Sequence, residues 1–588
     1  MVHDHIEKAT SYRQSPVLKV AYPLILLALG TLAYINSFTA PFIFDNIYDI
    51  AENVSIRRLW PPWLSMFARA NISRPLIGLS LAINYAISGL NPWSYHVLNL
   101  LIHLGAGLTL MGIVRRTLLT PKLAERFADK SGVLAFSVAA VWLTHPIQTA
   151  AITNVIQRCE SLMGLFYLLT LYLFIRGATT ARSVYWYAAA VAACVAGMLC
   201  KQVMVTAPIV VFLYDVVLLS TSAGKAISRR WRFYSALALA WIPLAAFAIA
   251  APHNETAGFG VSAIGPLSYL RSELEVVCYY IRLSFWPNSL CLDYSWPVGV
   301  TLWHVLPYGF LLVILVIATV WALLKRAPIA FIGIWFFGIL SVTSTFMPFT
   351  DLAFDHRMYL PLAAISALVI LGGYRLLDGL ANLPSISEPL KQAARVAFVT
   401  LTAGVVASLV FATLRRNVDY QFPIAMWSDV IKQSPNNPRA HGSLGMHLIE
   451  AGRLEEAIAE LNEAIELKPG YVGAEAYLGR ALVLQGRDEE AVPHLLFVLR
   501  NNPNHSAAHL YLGRVLLTRG QLPEATDHLR RAVALEPTYA EAHYFLGLAL
   551  SKEGRPSEAQ TEYAITDQLW PGLVEQLTSG QSNSPSNQ

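Results

Sequence analysis

Charge is scarce in this chain. Only 14% of its 588 residues are charged and 55% are hydrophobic, against roughly 25% charged and 45–50% apolar residues in a soluble domain. The length exceeds one ordinary domain, so neither a single soluble domain nor a disordered chain fits. Cysteine is scarce as well. Cys159, Cys194, Cys200, Cys278 and Cys291 are odd in number and contain no CxxC pair. That excludes a disulfide framework and a cysteine zinc site, leaving small buried residues. The net charge of +5 is spread over clusters beside apolar runs. This pattern suits a membrane protein, with no nucleic-acid partner.

The chain is uneven along its length. Long apolar runs fill it to about residue 415, and charged, Ala/Leu-rich sequence follows. Candidate spans are 17–37, 92–114, 132–152, 160–176, 184–200, 203–220, 233–251, 302–324, 328–347, 358–377 and 394–414. Each approaches the roughly 20 apolar residues that cross a bilayer. Residues 1–16 form a polar head, and Phe38-Thr39-Ala40 lacks a small-x-small cleavage pattern. The first run is therefore read as a retained helix. Arg74–Gly89 is short, and Leu267–Trp286 is interrupted by Arg271, Glu273, Glu275 and Arg282. Both suit interfacial helices. With eleven spans and the N-terminus in the cytoplasm, the basic connections, 221–232 above all, lie on the cytoplasmic side. The C-terminal part then lies outside it, in a bacterial periplasm or a secretory lumen.

This topology gathers the unusual polar residues on one face. The stretch PFIFDNIYDI (41–50) brings Asp45, Asn46 and Asp49 to a membrane edge. Arg74, His96, His145, Arg158, Glu160, Lys201, His356 and Arg357 fall on the same side. Singly, each reads as a snorkelling cation or a helix-end residue. Together, acids, bases and cations suit an anionic lipid phosphate and a hydroxyl to be activated. Sequons at 53–55, 71–73 and 254–256 also fall on this side.

From residue 435 the text repeats. Pro435, Pro469, Pro503, Pro537 and Pro571 are each 34 apart, as are Gly445, Gly479, Gly513 and Gly547. Gly452, Gly486, Gly520 and Gly554 keep the same step. Small residues at a 34-residue period are the signature of tetratricopeptide helical hairpins. Four full repeats are expected at 436–571. A half-repeat at 424–434, carrying Trp427, precedes them and docks the array on the last span. The module 424–571 would offer a concave surface for an extended peptide. His441, His509 and His543 recur at one offset and are read as packing or groove residues. Residues 572–588 are read as a disordered tail.

Four stretches carry a family resemblance: RPLIGLSLAINYAISGLNPWSYHVLNLLIH (74–103), HPIQTAAITNVIQRCESLMGLFYLLTLYLF (145–174), KQVMVTAPIVVFLYD (201–215) and DHRMYLP (355–361). With the repeats, they resemble the transmembrane and tetratricopeptide-repeat O-mannosyltransferases and their bacterial relatives, of the type C glycosyltransferase superfamily. The resemblance implies an all-α polytopic bundle (17–415) followed by the repeat superhelix. It implies transfer of a sugar, mannose among the candidates, from a polyprenyl-phosphate donor to a hydroxyl of an acceptor protein bound by the repeats. It makes Asp45 the catalytic acid of the first outer loop, with Asn46 where the family has a second acid and Asp49 as its stand-in. Arg158, Lys201 and Arg357 would hold the lipid phosphate, and His145 and Glu160 would orient the loop or sugar. The chain departs from the family pattern at Ala150, Gln202 and His356, which leaves a divalent metal open. A membrane-anchored repeat scaffold without chemistry and a transporter of lipid-linked sugars stand as alternatives.

Overall fold

The computed structural model describes residues 16–51, 53–68, 74–180, 182–250, 264–298, 301–345, 347–381 and 387–578. The sequons at 71–73 and 254–256, and all but one residue of the N-terminal head, lie outside that set. The elements that build the architecture are helices, in two compact units, Met1–Phe422 and Pro423–Gln588.

The first unit contains α1 (Pro16–Tyr34), α2 (Pro75–Ser88), α3 (Trp93–Leu118), α4 (Ser131–Thr144), α5 (Arg158–Thr179), α6 (Ser183–Met198), α7 (Ala207–Tyr214), α8 (Ala223–Leu239), α9 (Pro266–Phe285), α10 (Leu302–Leu324), α11 (Ala330–Leu340), α12 (Leu362–Ala381) and α13 (Glu388–Asp419). Among the described residues, eight helical segments are long and apolar enough to cross a membrane, and α2, α6 and α11 are shorter apolar helices. The chain is an all-α integral membrane protein.

Not every expected span is one continuous helix: over 132–152 the helix stops at Thr144, ahead of Pro146, and short turns follow to Ile152, and over 328–347 α11 covers only Ala330–Leu340. Over 233–251 the helix stops at Leu239 and a second one begins at Trp241. Pro243 explains the break: it has no N–H, and its ring clashes with the carbonyl four residues back, that of Leu239. The expected interfacial helix at 267–286 is α9. Its buried residues Tyr269, Ser272, Glu273, Val276, Val277, Tyr280 and Leu283 keep helical spacing, so one face packs inward.

The bundle centres on α3 and α4. The His103 Nε2–H donates to the Leu143 carbonyl at 2.9 Å, and Nδ1 accepts from the Tyr359 hydroxyl at 3.0 Å. The Trp142 indole donates to the Tyr359 carbonyl at 2.7 Å. This buried hub ties DHRMYLP to α3 and α4. At the other end of the bundle Asp215 takes Arg230 at 2.8 Å and the Tyr234 hydroxyl at 2.6 Å. The basic 221–232 segment is thereby fastened to the end of α7.

The second unit opens with α14 (Pro423–Gln433), whose Trp427 is fully buried. Four hairpins follow: α15 (Pro438–Glu450) with α16 (Leu454–Leu467), α17 (Val472–Leu484) with α18 (Asp488–Asn501), α19 (Ser506–Thr518) with α20 (Leu522–Leu535), and α21 (Ala540–Lys552) with α22 (Pro556–Leu569). A Cβ on Gly445 would lie 2.5 Å from Leu461, which is why small residues recur where paired helices meet. Leu573–Thr578 forms a further short helix with Leu573 buried, so the first part of the expected disordered tail is folded. Leu573 supplies the apolar contact that a Ser/Asn/Gln-rich tail lacks. Residues 579–588 lie outside the described set.

The repeating histidines pack each hairpin internally. His441 meets Glu460 at 2.6 Å, His494 meets Glu475 at 2.5 Å and His543 meets Glu562 at 2.6 Å. The third hairpin departs from this pattern: His509 Nδ1 faces His528 Nδ1 at 2.8 Å. His509 Nε2 already donates to the Pro503 carbonyl at 3.1 Å, so His528 supplies the shared proton. His505 and Asp527 also act on the pair, and Glu536 acts on His505. Burial, and then repulsion from His509 whenever both rings are protonated, hold His528 below its ordinary value, with Asp527 opposing them. A histidine depressed in the folded state keeps its stability above the unfolded value, about pH 6.5, and loses it as pH falls. Hydrogen exchange of α19 and α20, corrected for intrinsic rates, is therefore expected to rise several-fold relative to the other hairpins between about pH 7.5 and pH 5.5. His528→Glu should abolish that difference.

Candidate active site

The loop 41–50 is pinned at two points. His96 Nε2–H donates to the Ala40 carbonyl at 2.9 Å. The Asn46 side-chain oxygen accepts the Ile156 N–H at 2.7 Å, and Asn46 is fully buried. Phe42 adds an edge-to-face contact with Tyr95 at 5.2 Å. Between these anchors Phe44 adopts φ +55°, a conformation that costs a bulky residue about 1 kcal/mol or more. The strained turn leads directly into Asp45, which is half-buried, and a helical turn then carries Asp49. Asp49 keeps contact with solvent, yet the surrounding loop desolvates its carboxyl enough to raise it, and Arg74 pulls it partly back.

Arg74 stands at the N-cap position of α2. Its Nη1 lies 3.8 Å from Cys159 Sγ, and Cys159, Asp49, Asp45 and Glu160 together favour its charged form. Glu160 sits in the first turn of α5, where the helix dipole favours a carboxylate. It accepts from Lys201 Nζ at 2.5 Å, and both side chains are almost fully buried. Lys201 is placed there because the chain turns sharply between α6 and α7. His356 completes the group. It is buried and stacked on Phe354 at 4.9 Å. Burial, then Lys201, Arg357 and Arg74, hold its ring well below the ordinary value, so it is neutral. Three loops and two helix starts thus join Asp45, Asp49, Arg74, Glu160, Lys201 and His356 in one electrostatic network.

Other expected site residues point elsewhere. Arg158 is fully buried and donates to Asn99 at 2.5 Å, Asn84 at 2.7 Å and the Tyr95 carbonyl at 2.9 Å. Its remaining contacts are to Ser80. Its guanidinium ties α2, α3 and α5 together through neutral acceptors and has none of the network's acids beside it. Arg357 pairs with Glu273 at 3.3 Å and donates to the carbonyls of Leu352 and Asp351 at 2.6 and 2.5 Å. It locks the DHRMYLP turn to α9. The family resemblance assigns these two cations to a phosphate; here the hydrogen bonds they form are to protein groups. His145 is likewise satisfied, with Nδ1 accepting from the Ile147 N–H and Nε2 donating to the Ser284 carbonyl, each at 3.2 Å.

Asp355 was outside the expected set. It is buried, accepts from the Tyr294 hydroxyl at 2.5 Å, and is pushed up to about 7 by burial, with Tyr294 and Arg416 opposing. It fixes the loop that follows α9. Asn84, Asn99 and His103 were also missed. Their signal was a polar residue inside an apolar run, which marks an inward-facing position. Among the described residues no three His, Cys, Asp or Glu side chains converge to hold a metal. The hard oxygen donors of the network are the Asp45, Asp49 and Glu160 carboxylates, the last of them paired with Lys201.

Tetratricopeptide-repeat models match residues 448–512 and 513–554. Mouse protein O-mannosyl-transferase TMTC2 is 30% identical over 211 residues, 33% of this chain and 24% of that protein. Human protein O-mannosyl-transferase TMTC3 is 28% identical over 223 residues, 34% of this chain and 23% of that protein. The match thus spans about a quarter of these relatives' own length. A crystal structure of MamA, 21% identical, covers 28% of this chain and 96% of its own, with a TM-score of 0.24. The resemblance read from the sequence therefore has support beyond its motifs: the chain is similar to the protein O-mannosyl-transferases of this family, and it carries tetratricopeptide repeats.

Proposed function

We propose that this chain is a type C membrane glycosyltransferase that moves a sugar, mannose by family resemblance, from a polyprenyl-phosphate donor to a serine or threonine hydroxyl of a protein. The observation that carries this reading is the network in which Arg74 and Lys201 stand among Asp45, Asp49 and Glu160. A base for a hydroxyl and cations for a leaving phosphate are the two requirements of the reaction.

In the proposed step, the Asp45 carboxylate takes the proton of the acceptor hydroxyl. The hydroxyl oxygen forms its bond to the anomeric carbon as the bond from that carbon to the phosphate oxygen breaks. The electron pair leaves with the phosphate, and Arg74 and Lys201 stabilise its growing charge. Arg74 is the main cation, since Glu160 already offsets much of Lys201. Glu160 orients Lys201, and the neutral His356 ring offers a hydrogen bond to sugar or phosphate. Arg158, Arg357, His96, His145 and Asn46 position the loops.

The bundle would occupy 17–415, with the N-terminus cytoplasmic and the repeats (424–571) holding the acceptor outside. The scaffold reading drew on Asn46 replacing an acid. Its side-chain oxygen holds the Ile156 N–H, a structural task that leaves Asp45 as the base. Glycopeptide mass spectrometry of extracytoplasmic proteins, in cells with and without the chain, tests the proposal. Hexose on Ser/Thr peptides should disappear when the chain is absent. An unchanged glycopeptide set would refute the reading.

A further inference from the structure

A cavity of about 610 Å³ lies in the first unit, between the C-terminal half of α3, the start of α11 and the length of α12. On α3 its wall is Leu110, Ile113, Val114, Thr117 and Leu118, one face of a helix. On α12 it runs from Ala363 and Ala364 through Ala367 and Gly372 to Arg375. Leu368 and Leu371 line the same stretch beside these small residues. The walls are overwhelmingly apolar, and the polar groups collect at one end: Lys122, Glu125, Arg126 and Arg375.

The dimensions suit one leaflet. Ala363 to Arg375 is a rise of about 18 Å along a helix at 1.5 Å per residue. Half of a ~30 Å hydrocarbon core is about 15 Å. The charged end also has cations to spare. Lys122 is held by the carbonyls of Val217 and Arg326 at 2.5 and 3.2 Å. Arg126 and Arg375 are exposed and form no ion pair among the described residues. Against three cations stands the single acid Glu125. The cavity is distinct from the catalytic network: it begins on α3 at Leu110, beyond His103, whereas the network lies at the opposite end of that helix.

We propose that this groove holds one acyl chain of an anionic phospholipid, with its phosphate at Arg126 and Arg375 and its chain along Ala367 towards Ala363. The donor lipid is a different molecule, because its phosphate must reach Arg74 and Lys201, at the far end of the bundle. The lipid fills space between helices that would otherwise lack packing partners, and so stabilises the arrangement of α3, α11 and α12.

The test uses the full chain in detergent with equal amounts of phosphatidylglycerol and phosphatidylcholine, read by native mass spectrometry. One retained phosphatidylglycerol per chain, preferred over phosphatidylcholine, is expected. Arg126→Gln with Arg375→Gln should reduce that preference about thirtyfold, corresponding to the loss of two phosphate contacts at about 1 kcal/mol each. Both residues are exposed, so this variant should remain folded. Ala367→Phe should fill the groove and release either lipid. No retained lipid, or retention indifferent to the double variant, overturns the proposal. Displacement of phosphatidylglycerol by a polyprenyl phosphate would overturn it too, by making the groove part of the donor site. None of these readouts depends on glycosyl transfer, so failure here leaves the proposed reaction standing, and the converse holds.

Discussion

Asp45→Asn is expected to lower sugar transfer by about 10³-fold, within the 10²–10⁴ range of a lost general base, while leaving the protein folded. The amide keeps the volume and polarity of the side chain and removes its proton affinity. Asp45 is half-buried, and its neighbour Asn46 does the structural work by holding Ile156. The same change at Asp49 should cost less than about tenfold, since Asp49 is exposed and acts through Arg74 rather than on the hydroxyl. Transfer to an acceptor peptide in membranes measures both, with gel-filtration profiles in detergent as the control for folding. If Asp49→Asn were the inactive variant and Asp45→Asn the active one, the base would be Asp49. If both retained transfer, the loop would have no catalytic role.

The two tiers of this chain were legible to different degrees. The 34-residue step of prolines and glycines predicts the hairpins closely, because each small residue answers a local need of helix packing or turn geometry. The apolar runs predict the membrane bundle, and breaks within it could have been read from Pro146 and Pro243, whose effects on the preceding residues are local. The site was less legible, because a sequence does not say which way a cation points. Arg158 and Glu160 look like adjacent parts of one motif. They are two residues apart on α5, and at about 100° per residue they face opposite sides of the helix. Glu160 therefore meets Lys201, and Arg158 enters the bundle to meet Asn84 and Asn99. Arg357 is similar: its partner Glu273 lies on a helix whose charges suggested the interface rather than the interior. The motifs that carried the resemblance are thus in large part folding motifs. His103, Trp142 and Tyr359 belong to them and form the hub, while the chemistry rests on a smaller set near the loop.

Arg158 offers the second large effect, and it separates folding from chemistry. Arg158→Met should destabilise the membrane unit by about 3–5 kcal/mol, the sum over several buried acceptors left without a donor. It strips Asn99, Asn84, the Tyr95 carbonyl and Ser80 of a shared donor at a fully buried position, and each unsatisfied buried group costs about 1–3 kcal/mol. Arg158→Lys should be only a partial rescue. Lysine keeps the charge, but a single ammonium cannot replace Nε, Nη1 and Nη2 reaching acceptors on two helices at once. Thermal unfolding in detergent should therefore fall in the order wild type, Arg158→Lys, Arg158→Met, and transfer per folded molecule should change little in the lysine variant. The opposite split is equally readable. A lysine variant with wild-type stability and a large loss of transfer, together with weaker donor binding, would return Arg158 to the phosphate and show that its neutral partners yield when the lipid arrives. The geometry favours the first outcome, because the phosphate would have to replace bonds to four residues at a fully buried position, whereas Arg74 already stands among the acids of the loop.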